Sequence, residues 1–125
     1  MKKIFFCFAI SIGCLSAKSQ LANHRWEGTI HIDNQDTPVT LDFKKDSVNA
    51  LITPSGEMLE QMLYTVKNGI VTFQKVSGRS ECGSDIIGKY KFVLKDDRIT
   101  LSVAEDICGD RAGVLDQSVW KKAKK

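Results

Sequence analysis

The stretch from Cys82 to Arg111 constrains this chain most, because a cysteine, a strand, a two-residue turn, a returning strand and a second cysteine follow one another without a break. Ile86, Gly88, Tyr90, Phe92 and Leu94 alternate with Ile87, Lys89, Lys91, Val93 and Lys95. That period of two marks a strand with one dry face and one wet one, and outward lysines suit a solvated strand surface. Asp96-Asp97 is turn chemistry, after which Ile99, Leu101 and Val103 resume the alternation. The segment predicts antiparallel β-structure, with Cys82 and Cys108 placed to clamp the hairpin to its surroundings.

The N-terminus bears on whether that clamp forms. Met1-Lys2-Lys3 is basic, Ile4 to Leu15 is apolar apart from Ser11, and Ala17-Lys18-Ser19 puts small residues where signal peptidase reads. The pattern predicts a secretory signal over residues 1–19, cleaved after Ser19, with an apolar core too short for a stable membrane span. Gly13-Cys14 supplies half of a lipobox, so anchoring as a lipoprotein at Cys14 is the minor alternative. Export removes Cys7 and Cys14 and leaves Cys82 and Cys108 as one pair in an oxidising place, periplasmic or extracellular. A structural disulfide is expected there; zinc is disfavoured because neither CxxC nor HxxH spacing occurs.

The same cleavage changes the charge. The chain has 18 Lys+Arg against 15 Asp+Glu, and Lys2, Lys3 and Lys18 leave with the signal. The remaining domain, residues 20–125, is then neutral with both signs interspersed along the sequence. Such a balance gives no footprint for nucleic acid or an anionic membrane. The terminal Lys121, Lys122, Lys124 and Lys125 read as a solvated tail.

Elsewhere the chain repeats the strand pattern. Trp26, Gly28, Ile30 and Ile32 alternate with polar residues over 25–33, and Val39, Leu41 and Phe43 do so after a turn read over Asn34 to Pro38. Val48, Ala50 and Ile52 form a short strand ending by Thr53, since Pro54 has no donor for a ladder. Glu57 to Gln61 reads as one helical turn or a loop, and Met58, Leu59, Met62 and Leu63 as a flexible lid. Met62, Tyr64 and Val66 lead to Asn68-Gly69, the strongest short hairpin signal available, and Val71 and Phe73 return from it. Glu105 to Ser118 suggests a helical turn or a loop pinned by Cys108, before a last strand over 118–122 containing Trp120. Seven or eight short antiparallel strands with tight turns indicate an all-β barrel or sandwich.

Candidate chemistry is sparse. Glu105, Asp106 and Asp110 flank Cys108, and a disulfide would bring Asp85, Arg79 and Arg111 near them. Calcium or acid/base chemistry is one reading. The favoured one is structural, with Asp106 capping a turn and Arg111 pairing with a carboxylate or stacking on a tryptophan. His24 and His31 are isolated. No Gly-x-Ser-x-Gly, phosphate-binding loop or calcium loop occurs, and no inward-facing Asp, Glu or His stands out. The expectation is a protein that is not an enzyme and needs no cofactor.

The run Cys82, Gly88-Lys89-Tyr90-Lys91-Phe92, Ile99-Thr100-Leu101, Asp106-Ile107-Cys108-Gly109-Asp110-Arg111, Leu115 and Trp120 resembles small exported bacterial lipocalin-like domains, with Trp26 as an N-terminal anchor. The resemblance implies an antiparallel up-and-down barrel of about eight strands whose mouth takes a small apolar ligand. Tyr64, Phe73, Tyr90 and Phe92 are the candidate ligand-lining residues, and Trp26, Arg111 and Trp120 the structural ones. The alternative is a protein-binding module, such as an enzyme inhibitor, using the loops Ser77–Asp85 or Glu105–Ala112 on a filled barrel.

Overall fold

Eight strands form in sequence order, β1 (Arg25–Ile32), β2 (Gln35–Phe43), β3 (Ser47–Ile52), β4 (Met58–Lys67), β5 (Ile70–Gly78), β6 (Ile87–Lys95), β7 (Arg98–Glu105) and β8 (Ser118–Lys122). A seven-residue helix, α1 (Gly109–Leu115), interrupts them between β7 and β8. The computed structural model describes residues 20–124; the expected signal segment, with Cys7 and Cys14, lies outside the described residues. Each strand pairs antiparallel with the next, and β8 returns to β1 through Trp26↔Lys122 and Glu27↔Lys121. The sheet is thereby a closed up-and-down barrel, which leaves no edge strand to pair with another chain. No helix among the described residues is long and apolar enough to cross a membrane.

Turn chemistry explains the meander. Asp33-Asn34, Asn68-Gly69 and Asp96-Asp97 each join two strands with positive φ at both residues, the twist that two-residue hairpins demand. The first of these corrects the turn read over Asn34 to Pro38. Gln35 to Pro38 already belongs to β2, where Pro38 faces Thr29, because Asp33 and Asn34 tolerate the left-handed region and close the hairpin by themselves.

A second correction concerns Glu57 to Gln61 and the lid suggested for Met58 to Leu63. Met58 onward is β4, paired to β3 through Ala50↔Glu60 and to β5 through Gln61↔Ser77. Those backbone groups find ladder partners on both sides, which a helical turn at this place could not offer. Register shifts at Ala50/Leu51, Gln61/Met62 and Lys89/Tyr90 all fall toward the end of the barrel that carries α1. Bulges of this kind bend strands outward at barrel rims.

The interior is built from the alternating apolar residues, with Trp26, Trp120, Tyr64, Tyr90 and Phe73 the largest of those wholly buried. Phe43 meets Tyr64 edge-on at 4.9 Å between ring centroids, and Phe73 meets Tyr90 at 5.8 Å. Gly28 is small for a reason: a Cβ there would lie 2.8 Å from both Trp120 Cε3 and the Val119 carbonyl. The absent side chain lets Trp120 lie across β1 where the barrel closes.

Cys82 and Cys108 form the disulfide, 26 residues apart in sequence. It ties the β5–β6 connection to the residue before α1. On the chain-entropy account, a loop of that length contributes about 3–4 kcal/mol. Replacing both cysteines with alanine is expected to lower stability by about that much, read from urea unfolding of the two proteins. A double variant that unfolds at the wild-type midpoint would contradict the clamp.

Candidate functional site

The α1 end of the barrel holds a buried polar cluster, although the sequence reading finds no inward Asp, Glu or His at all. The Asp106 side chain, just past β7, is 0 % exposed and the Arg111 side chain on α1 only 4 %. Arg111 Nε donates to Asp106 Oδ2 at 2.7 Å, and its Nη2 donates to Asp106 Oδ1 at 3.0 Å. That two-point geometry is the strongest pairing a carboxylate makes with a side chain. Nη2 also donates to the Ile86 carbonyl at 3.1 Å. Asp106 further accepts the Tyr90 hydroxyl at 2.5 Å and the Cys108 backbone N–H at 3.0 Å.

Gly88 makes room for the pair. A Cβ at that position would overlap Asp106 Oδ2 and sit 2.8 Å from Arg111 Nε. The Gly-x-Tyr spacing on β6 therefore serves one cluster twice, through an absent side chain at Gly88 and a hydroxyl at Tyr90. Of the two structural readings of Arg111, pairing with a carboxylate or stacking on a tryptophan, this geometry is the first, and Asp106 turns the chain into α1 through the Cys108 N–H.

Electrostatics fix the charge states. Burial pushes Asp106 up, but the hydrogen bonds from Arg111, Tyr90 and the Cys108 N–H outweigh it and hold the carboxyl below its ordinary value. Burial lowers Arg111, whereas Asp106 more than restores it, so the guanidinium stays charged. Tyr90 is raised by burial and by Asp106. With four donors on its two oxygens, Asp106 is an anchored carboxylate rather than a proton carrier.

A cavity of about 560 Å³ opens beside this cluster. Its apolar wall comes from the β1–β4 side and from α1: Ile30, Val39, Ala50, Leu59, Met62 and Val114. Leu41, Leu115 and Trp120 complete that wall, and Arg111 contributes to it. The rim carries His31, Asp33, Glu60, Arg79 and Asp110. Arg79 pairs with Glu57, and His31 Nδ1 lies 3.1 Å from Asp36. Glu60 accepts from Ser80 Oγ at 2.5 Å and from Ser80 N at 3.2 Å. Asp110 accepts the Glu81 N–H at 2.8 Å.

The aromatic residues singled out in the sequence lie elsewhere. Tyr64, Phe73, Tyr90 and Phe92 are all buried, but none lines this cavity. Phe73, Tyr90 and Phe92 fill the β5–β7 side of the interior, and Tyr64 packs on Phe43 and donates to the Lys44 carbonyl at 2.7 Å. Burial, and then Asp46, push the Tyr64 hydroxyl up to about 12. Trp120 does reach the cavity, with its Nε1 donating to Ser118 Oγ at 2.8 Å. The signal for the cavity was present as residue size: where the inward side chains of β1–β4 are aliphatic and short, space remains.

The fold also sorts charges that alternate along the sequence. The opposite end has a second, basic concavity, lined among others by Arg25, Lys44, Lys122 and Lys124. Its one acid, Asp42, is paired with Arg25 at 3.5 Å and Lys44 at 3.2 Å. Among the described residues no three His, Cys, Asp or Glu side chains gather to hold a metal ion. Comparison of the chain with known protein families, with curated proteins and with solved structures found no match.

The depressed Asp106 carboxyl makes stability depend on acid. Its contribution is complete above its unfolded value, about pH 4, and is lost as pH falls toward the lower folded value. Asp106→Asn is expected to cost about 3–5 kcal/mol at neutral pH, since it leaves Arg111 buried and unpaired. The variant should also lose part of the wild-type decline below about pH 4. Urea midpoints across that range measure both; an unchanged acid slope would contradict the role given to Asp106.

Proposed function

We propose that this protein is an exported, lipocalin-like binding protein that takes a small hydrophobic molecule into the β1–β4 side of its barrel. The observation that carries the reading is the cavity. At about 560 Å³ it falls within the roughly 300–1,000 Å³ of small-molecule sites, which combine apolar walls with a few placed polar groups. Its walls belong to a rigid frame, since β1 to β4 are laddered on both sides and α1 is tied down by Arg111 and the Cys82–Cys108 bond. Export rests on the basic and apolar start of the chain and agrees with a disulfide, which persists in oxidising compartments.

Ala50 gives the sharpest test, because it is inward on β3 and lines the cavity. Ala50→Trp should fill the space and lower the affinity for a neutral apolar dye by at least about tenfold, the effect of losing roughly 1.4 kcal/mol of burial. Melting of the variant checks that it remains folded. A folded Ala50→Trp protein that takes up the dye as wild type does would sink the reading. Ala50→Ser, which leaves the space open, should bind nearly as wild type.

One observation favours a second reading, a protein-binding module. Ile107 is 79 % exposed and sits between Asp106 and Cys108, both fixed in place. A large apolar side chain held rigidly in solvent suits a partner's pocket. That reading expects no uptake of any apolar dye by the wild-type protein.

A further inference from the structure

The cavity says more about its ligand than that it is apolar, because its two arginines are already neutralised and its rim acids are not. Arg111 sets its charge against Asp106 in a two-point pair, and only its Nη1 is left without a hydrogen bond. Arg79 spends its own on Glu57. The remaining carboxylates lining the opening are Asp33, Glu60 and Asp110, and no ion pair engages them among the described residues. Glu60 and Asp110 accept hydrogen bonds from neutral donors only, a hydroxyl and backbone N–H groups. These orient the carboxylates without cancelling their charge. Asp36, beside His31, adds a further negative charge.

Carboxylates around an opening with low-dielectric walls focus their field into it, concentrating ions of opposite sign and repelling like ones. Most basic groups of the barrel stand at the other end, around Arg25, Lys44 and Lys122, a strand's length of roughly 20 Å away and so beyond a Debye length of about 8–10 Å. Lys75, which donates to the Ser80 carbonyl, offsets only part of the rim's charge. We infer that the cavity selects a cationic amphiphile: one apolar chain or ring system against Ile30, Val39, Ala50, Leu59 and Met62, and an ammonium group at Asp33, Glu60 and Asp110. Fatty carboxylates of the same length are rejected. The inference rests on the binding reading above and names the ligand class for that same site.

Calorimetric titration of the purified protein with decyltrimethylammonium, decanol and decanoate, each below its micelle concentration, separates the possibilities. At low salt the cation is expected to bind about tenfold or more tighter than decanoate, with decanol between. Raising salt to about 0.5 M should compress that spread. In an Asp33→Asn, Asp110→Asn double variant, whose amides keep an acceptor for the Glu81 N–H, the ratio of cation to decanol affinity should fall by about threefold or more. Decanoate binding as tightly as the cation, or a ratio indifferent to both salt and the double variant, would overturn the charge preference. Uptake of decanol with no preference for the cation would remove this inference alone. Failure of all three probes to bind would remove the binding reading with it.

Discussion

The ion pair between Arg111 and Asp106 fastens the helix before β8, which lies outside the barrel's ladder, to the paired strand ends at the end of β7 and the start of β6. Burying both charges is costly, and their attraction offsets that only where the geometry is good and the remaining donors and acceptors are met. Here Tyr90, the Cys108 N–H and the Ile86 carbonyl meet most of them. The disulfide adds a covalent tie one residue before α1 begins. A helix of seven residues has little stability of its own; these two ties give it a fixed place.

From that place α1 does two things. Leu115, buried on its inner side, joins the core, while Val114 and Arg111 become part of the cavity wall. Together with the bulges in β4, β5 and β7, the helix makes the two ends of the barrel unlike. One end holds the apolar cavity under an acidic rim, and the other gathers Arg25, Lys44 and Lys122 around a basic concavity. Along β1–β4 the inward residues toward the α1 end, Ile30, Val39, Ala50 and Leu59, are aliphatic, whereas Trp26, Phe43 and Tyr64 stand toward the other end. Volume at each inward position decides where space is left.

Much of the fold was legible because a strand's period of two survives in each segment. Asn68-Gly69 and Asp96-Asp97 fixed two hairpins by turn chemistry alone, and Ser118 to Lys122 emerged as the last strand with the bounds read from Trp120 and its neighbours. Met58 to Gln61 was not legible as strand. Its apolar residues, Met58, Leu59, Met62 and Leu63, are spaced as a helix would space them, and only pairing with β3 and β5 decides the outcome. The site was legible only in part. Inward direction correctly buried Tyr64, Phe73, Tyr90 and Phe92, but direction does not reveal which inward residues fill space and which line it. Asp106 was read as a cap; that its side chain also turns inward follows from a contact with Arg111 and Gly88 across three elements, which no local pattern encodes.

The central claim is that a small apolar molecule enters the cavity between β1–β4 and α1. Two-dimensional NMR of the labelled protein titrated with decanol, an uncharged probe, tests it most directly. The account predicts shifts concentrated at Ile30, Ala50, Met62 and Val114, with Phe73, Phe92 and the basic residues around Lys44 nearly unmoved. Shifts centred on the basic end, or none at any residue as decanol is added, would contradict it.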